Sequence, residues 1–210
     1  MHGLLGKKAG MTRIIDPDTG VVLPVTVIDI AGNVVLQRKR ETVDGYDAVQ
    51  LGFEAVKEKS ATKAEVCHAK KYGSEPVRYI REFPVETDEE FEPGQKVGAE
   101  VFESVSYVDV AGVTKGRGFA GTVKRYGFSI GRMTHGNRNK RARGSVGAGS
   151  DPSRVFPGVK MAGQYGNKSK TVLGLELVSV DSEKGLVFVK GSVPGKKNGL
   201  LSIRKSVVKG

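Results

Sequence analysis

The sequence predicts a mainly β protein: a closed β-barrel that carries a small α/β insertion and a long, basic, extended arm. Three observations lead there. Short runs rich in Val, Ile and Leu recur at about ten-residue spacing between turn residues, the pattern of an all-β barrel. These runs lie on both sides of an internal segment, residues 113–170, so both flanks are needed to complete one β domain. That segment holds 13 Lys and Arg but a single acid, Asp151.

The elements follow in order. Residues 20–30 (G-V-V-L-P-V-T-V-I-D-I) are rich in β-branched side chains and come after the turn sequence Asp16-Pro17-Asp18-Thr19-Gly20. Residues 34–38 follow Gly32-Asn33, which predicts a hairpin with the preceding strand. Residues 48–53 form a third short strand after Asp44-Gly45. In residues 61–72, Ala64, Cys67 and Ala69 stand at helical spacing among Lys and Glu, so a short helix sits on an insertion at about 57–95. Residues 76–83 read as a further strand, and residues 86–92 as an acidic, solvated loop. Residues 97–102 and 105–110 alternate and lead into the arm. Beyond it, residues 171–180 (T-V-L-G-L-E-L-V-S-V) alternate cleanly, and residues 185–190 follow a turn at 181–185. A turn at 192–195 precedes strands at 200–203 and 207–208. The barrel domain is thus residues 1–112 with 171–210, and the extension is residues 113–170.

Charge is segregated along the chain. The whole protein carries +11, yet residues 1–112 carry −5, residues 113–170 carry +12 and residues 171–210 carry +4. So basic an internal segment implies a polyanionic partner. Trp is absent and aromatic residues make up 7%, so the core must come from Val, Leu and Ile. No apolar run approaches the roughly 18–20 residues of a membrane span, and the N-terminus lacks the apolar length of a signal peptide. The single cysteine, Cys67, forms no internal disulfide and fits a reducing compartment.

The arm is poor in core material. Between Ser129 and Arg154 the only large apolar residues are Ile130, Met133 and Val146, too few to offset the entropy of ordering the chain. It holds instead Arg132, His135, Asn137, Arg138, Asn139, Lys140, Arg141 and Arg143, donors suited to phosphate oxygens and base edges. Its glycines let backbone approach a partner closely. The reading is an arm that folds only against polyanion. Doubled back as a hairpin, legs of about 13 residues reach roughly 40 Å.

Gly116-Arg117-Gly118-Phe119-Ala120-Gly121 matches G-x-G-x-x-G, but the helical stretch after it ends by Gly127 and the next acid is Asp151. A dinucleotide fingerprint needs a full helix and an acid about 20 residues on. A short helix bearing Lys124 and Arg125, with Lys115 and Arg117 beside it, serves phosphate better. His2, His68 and His135 are the only histidines, and no nucleophile elbow, P-loop or zinc spacing is present. Cys67-His68 lacks partners at ligand spacing. No enzyme, cofactor, metal or small-molecule substrate is therefore expected. Tyr126, Phe128, Phe156 and Tyr165 either stack on unpaired bases or pack locally, and Phe119, Val123 and Phe128 alternatively pack the arm's root. The competing readings are a barrel enzyme or nucleotide-binding factor using residues 116–121 and a module for an acidic protein or a membrane.

Ordered blocks along nearly the whole chain carry a family resemblance. They are G-L-L-G-K-K-A-G-M-T-R at 3–13, P-V-T-V-I at 24–28 and D-G-Y-D-A-V-Q at 44–50. The arm adds T-K-G-R-G-F-A-G-T-V-K-R at 114–125, T-H-G-N at 134–137, G-S-V-G at 144–147 and K-M-A-G-Q-Y-G-N at 160–167. V-K-G-S-V-P-G follows at 189–195. The chain resembles the ribosomal protein L-three family of the large subunit, in its bacterial form. The resemblance implies a barrel like that of the second domain of translation factors, with an α/β insertion and a long internal extension. It implies direct binding of large-subunit (23S-type) rRNA near its 3′ end, a part in early subunit assembly, and an extension reaching toward the peptidyl-transferase centre, where RNA performs the chemistry. The partners it implies are that rRNA and neighbouring large-subunit proteins, with no membrane, and the location is the ribosome in the cytoplasm. The RNA-contacting candidates are Lys115, Arg117, Lys124, Arg125, Arg132, His135, Asn137, Arg138, Lys140, Arg141, Arg143, Arg154, Lys160, Gln164, Lys168 and Lys170. Residues 147–152 correspond to the extension's tip. They contain no glutamine, the residue methylated there in some bacterial members, so that modification is expected to be absent. Tyr126 stands where the family often has Trp.

Overall fold

The structure, a computed structural model, describes residues 2–16, 20–85 and 89–209. The chain divides into two compact units, Met1–Thr114 with Ser169–Gly210, and Lys115–Lys168. In order, the first unit runs β1 (Gly3–Ile15), β2 (Val22–Asp29), β3 (Asn33–Lys39), α1 (Glu41–Asp44), β4 (Ala48–Ala55), α2 (Lys63–Lys71), β5 (Val77–Pro84), β6 (Lys96–Val97) and β7 (Tyr107–Val113). The second unit contributes β8 (Phe119–Ala120), α3 (Thr122–Tyr126) and β9 (Gly163–Gln164). The first unit resumes with β10 (Ser169–Asp181), β11 (Leu186–Lys190) and β12 (Leu200–Lys205).

Six strands close an antiparallel barrel in the order β1-β12-β7-β10-β11-β2. Closure depends on two 13-residue strands that each serve two ladders. β1 pairs with β12 through residues 3–7 and with β2 through residues 7–15, and its register shifts between Lys8 and Gly10. β10 pairs with β7 up to Glu176 and with β11 from Leu177 onward. It bulges between Val172 and Leu175, where Gly174 takes φ +61° and its N–H donates to Asp109 Oδ1 at 2.7 Å. Bulges of this kind bend a strand so that a sheet can turn a corner. Inward residues of alternate positions, among them Leu4, Ile28, Val108, Val110, Val187, Val189, Leu201 and Ile203, are fully or almost fully buried. These are the Val, Leu and Ile side chains that a Trp-free composition requires.

The α/β part is a four-stranded sheet, β5-β4-β3-β6, with α2 after β4. Val35, Val49, Leu51, Phe53 and Phe83 from this sheet join the barrel residues in one buried cluster. α2 starts at a capping box in which the Thr62 hydroxyl accepts from Glu65 N–H and the Glu65 carboxylate accepts from Thr62 N–H.

Three expectations need correction. The hairpin expected around Gly32-Asn33 does not form: β2 pairs with β1 and β11, whereas β3 pairs with β4 and β6. The reason is Asn33, read in the sequence as a turn residue but fully buried. Its side chain accepts from Leu5 N–H (3.1 Å) and donates to Leu5 O (2.8 Å) and Ile30 O (2.7 Å). It acts as a neighbouring strand for β1 where β2 has not yet begun to pair, and it sends the chain out of the barrel. Residues 97–102 are not a strand; after Val97 the chain forms a 3₁₀ turn at Ala99–Phe102 that buries Ala99 and Phe102. Val207 and Val208 form no strand either and are exposed. The turn expected at 16–20 and the acidic stretch at 86–92 fall partly on residues 17–19 and 86–88, outside the described residues.

A polar network ties the second sheet together on its surface. Tyr46 Oη donates to Glu82 Oε2 (2.9 Å), Gln50 Nε2 donates to Glu82 Oε1 (3.2 Å), and Lys39 Nζ lies 3.0 Å from Glu82. His68 Nε2 sits 2.9 Å from Gln50 Oε1, which connects α2. Partial burial pushes the Glu82 pKa up, but the hydrogen bonds from Lys39, Tyr46 and Gln50 outweigh it and hold the carboxyl below its ordinary range.

Asn33→Ala leaves the Leu5 amide and carbonyl buried without partners. At about 1–3 kcal/mol for each such group, stability should fall by roughly 3 kcal/mol or more, read as a lower urea midpoint. A lowered carboxylate pKa stabilises the fold above the ordinary glutamate range, and this contribution is lost as pH falls through the folded value. Glu82→Gln should therefore flatten the acid limb of the melting temperature against pH. A limb of unchanged steepness would remove Glu82 from the acid response.

Candidate nucleic-acid interface

The second unit begins where two stretches of chain meet backbone to backbone. Arg117 N–H donates to Tyr165 O and Tyr165 N–H donates to Gly118 O, both at 2.9 Å. Phe119 then pairs with Gln164 and Ala120 with Gly163. This approach explains the glycines. Gly166 takes φ +70°, and a Cβ there would fall on the carbonyl oxygen of Lys115. Gly118 takes φ +65°, outside the usual reach of an L side chain. The G-x-G-x-x-G match is thus occupied with chain pairing, and the helix after it, α3, is only five residues long. It stops at Gly127, which is left-handed at φ +71°.

Arg125 is the hub of this root. Its Nη1 donates to Met161 O at 2.7 Å, its guanidinium lies 5.0 Å from the Tyr126 ring centre, and a Cβ on Gly163 would come within 2.6 Å of it. Lys160 also approaches Tyr126, at 5.8 Å, and Phe128 tilts against that ring with centroids 6.3 Å apart. Tyr126 therefore carries two cations around one aromatic face system, each attracted by the ring quadrupole. Arg117 lies 5.4 Å from the Tyr165 ring and Arg154 lies 5.8 Å from Phe156. Packing is excluded for Phe119, which is 80% exposed.

Residues 127–162 hold no helix or strand, but they are shaped by local bonds. Gly131 N–H donates to Lys140 O (2.9 Å), and a Cβ on Gly131 would sit 2.6 Å from Asn139 O. Asn137 closes the loop: its Nδ2 donates to Arg132 O at 2.7 Å and its Oδ1 accepts from Asn139 N–H at 3.0 Å. At Thr134–Asn137, His135 (φ +58°) and Gly136 (φ +71°) are both left-handed, the geometry of a primed hairpin turn, and the imidazole is exposed.

The candidates named from the sequence fall into groups. Lys115, Arg117, Lys124, Arg125, Lys160, Gln164 and Lys168 belong to the root or its flanks, with Arg125 half-buried. Arg132, His135, Arg138, Lys140, Arg141, Arg143 and Arg154 belong to the irregular middle; all are exposed except the half-buried Arg143. Asn137 is half-buried and its amide serves the chain itself. Lys170 lies on β10 in the first unit, exposed and paired across to Gly112. What the sequence could not show is the Met161 carbonyl that orients Arg125, because a backbone acceptor has no residue signature.

Residues 115–168 hold 12 Lys and Arg against Asp151 alone. Several carboxylates of the first unit meet cations of that unit, as in Lys7–Glu54 (2.6 Å), Arg38–Asp47 (3.1 Å) and Lys190–Glu176 (2.7 Å). Such a concentration of exposed guanidinium and ammonium groups on a backbone thinned by glycine suits a chain of phosphates. Among the described residues no three His, Cys, Asp or Glu gather as a metal site, and no helix is long and apolar enough to cross a membrane. Cys67 is exposed and unbridged, and His68 is occupied by Gln50 and by an edge contact with Tyr72 at 5.2 Å.

Known proteins match this chain along its length. A family model for ribosomal protein L3 matches residues 80–185, a span that takes in all of the second unit. The large ribosomal subunit protein uL3 of Picosynechococcus sp. is 48% identical over 208 residues, covering 99% of this chain and 98% of the relative. That of Thermotoga petrophila is 48% identical over 206 residues, covering 98% of each. That of Staphylococcus epidermidis is 47% identical over 216 aligned positions, covering 99% and 98%. With barrel, basic unit and near-complete alignment in agreement, the chain belongs to the ribosomal protein L3 family, in its bacterial form.

Proposed function

We propose that this protein is a structural component of the large ribosomal subunit, resident in the cytoplasmic ribosome, that binds large-subunit (23S-type) rRNA directly through residues 113–170. Residues 1–112 and 171–210 are the folded carrier. The observation that carries this reading is the second unit: 12 cations, one carboxylate, and a middle stretch without helix or strand. The exposed cations neutralise phosphates, the ring-bound cations at Tyr126, Tyr165 and Phe156 add flat surfaces for unpaired bases, and the turn at His135 holds a hydrogen-bonding imidazole outward. The protein supports the shape of RNA and is not itself a catalyst. From the family resemblance follow early entry into subunit assembly, support of the RNA around the peptidyl-transferase centre, and contacts with neighbouring large-subunit proteins.

Replacing residues 129–154 with a short Gly-Ser link tests this. The variant should keep the barrel's circular dichroism and melting behaviour but lose most affinity for a large-subunit rRNA transcript. Unchanged affinity would overturn the reading. The unaltered protein, making some 6–10 phosphate contacts, should lose about 10³–10⁵ in affinity between 50 and 200 mM salt. The quadruple variant Arg138→Gln, Lys140→Gln, Arg141→Gln and Arg143→Gln should flatten the log–log salt slope by about 3. Anionic vesicles added in competition should not displace the transcript.

A further inference from the structure

At the root of the second unit the two legs are joined backbone to backbone as far as Ala120 and Gly163, and there the ladder stops. Beyond it, one leg continues as α3 and the other as residues 160–162, which hold no helix or strand. Arg125 supplies the next link from its side chain. Its Nη1 donates to Met161 O, 36 positions along the chain, at 2.7 Å. The same guanidinium lies over Gly163, where a Cβ would stand 2.6 Å from Nη1 and 3.4 Å from Cζ. Gly163 sits in β9 and takes no left-handed φ, so its backbone conformation does not require glycine. The three atoms nearest to the missing Cβ all belong to the Arg125 guanidinium. The glycine is therefore explained by the group that rests on it, and both legs contribute to the contact.

The helix that carries Arg125 is equally well fixed. Arg125 N–H donates to Gly121 O at 2.9 Å, and α3 stops at the left-handed Gly127. The Tyr126 ring lies 5.0 Å from the guanidinium. Arg125 is thus half-buried, with an acceptor for its Nη1, a flat backbone beneath it and a ring beside it. A phosphate ligand needs a fork of N–H groups open to the partner. Lys124, one residue earlier, is exposed, as are Arg138 and Arg141 in the middle stretch.

We infer that Arg125 is a positioning residue and not a phosphate ligand: it clasps the two legs at Met161 and Gly163, so that the stretch between them starts from fixed ends before RNA is bound. Ends that are already ordered reduce the ordering that binding must supply. What the arm binds rests on the rRNA-binding reading above; the clasp itself is measurable without RNA. The test compares the unaltered full chain with four variants. Arg125→Gln removes the fork and its charge. Gly163→Ala displaces the guanidinium and keeps every charge. Arg125→Lys keeps the charge without the planar fork. Arg141→Gln removes an exposed cation of the arm. In the RNA-free chain, hydrogen exchange at the Arg117 and Tyr165 amides, which close the root, should quicken in the first three variants and stay as it was in Arg141→Gln. The barrel's melting temperature should not change in any of them. On a large-subunit rRNA transcript the three clasp variants should bind about tenfold or more weakly, the factor that losing a hydrogen bond to a charged group converts to. Their log–log salt slope should equal that of the unaltered protein, whereas Arg141→Gln should flatten it by about 0.7–0.9. A slope flattened by that amount in Arg125→Gln and restored in Arg125→Lys would make Arg125 a phosphate ligand and overturn the inference. Root amides that exchange equally fast in all five chains would overturn it too. If the clasp variants quicken exchange but the unaltered protein does not bind the transcript, the clasp stands and the rRNA-binding reading falls.

Discussion

Val113 pairs with Ser169, and Gly112 with Lys170. The β7–β10 ladder therefore grips both ends of the second unit within one rung of each other. Closing a loop costs entropy that grows only slowly with its length, so a long excursion between two adjacent, paired strands weighs little on the fold. Its closure is maintained by a barrel whose core, from Leu4 to Ile203, is complete without it. The second unit is thereby released from the need to bury apolar surface, and its composition can be given over to Arg, Lys, Asn and Gly. A chain end with the same composition would be anchored once; this one is anchored at both ends.

The same logic of shared strands runs through the rest of the first unit. β1 and β10 each pass from one ladder to another, and β1 does so over a stretch where one neighbour is missing. Asn33 fills that gap with a side chain in place of a strand. Because the residue after the gap is already turned out of the barrel, β3 can seed a second sheet. One buried amide thus decides where the barrel ends and where the α/β part begins. Buried side-chain amides are tolerable only when their bonds are made, and here three are.

Much of this was legible in the sequence, and the exceptions have physical causes. Residues 171–180 and 185–190 read correctly as strands because their apolar side chains alternate, half-buried at Leu175 and Leu177 and fully buried at Val187 and Val189, so composition carries the signal. β1 is the longest strand with β10, yet G-L-L-G-K-K-A-G-M-T-R shows no alternation. Gly3 and Gly6 lie against other backbone, at Ile203 O and Asp29 O, and its lysines face an ion and a carbonyl. Such a strand is specified by its neighbours, which a local pattern does not contain. Asn33 misled for a related reason: the residue type suits a turn and also suits a buried bridge, and only tertiary context separates the two. In the basic unit the charge and the lack of core were plain from composition. The pairing of Arg125 with a backbone carbonyl, and the internal use of Asn137, were not, since the first depends on a residue 36 positions away and the second on turn geometry.

The acidic balance of residues 1–112 completes the electrostatic picture. An excess of carboxylates in the same chain is a source of internal counter-charge. Several of those carboxylates are already engaged: Glu54 with Lys7, Asp47 with Arg38, and Glu82 with Lys39, Tyr46 and Gln50. They sit on strands of a hydrogen-bonded sheet. Residues 115–168 have one acid of their own and are shaped by local turns. Positive charge is therefore kept available rather than cancelled, and the entropy of shaping the arm is met in part before any partner arrives. A segment built this way gives up self-neutralisation: residues 115–168 hold 12 cations and one carboxylate.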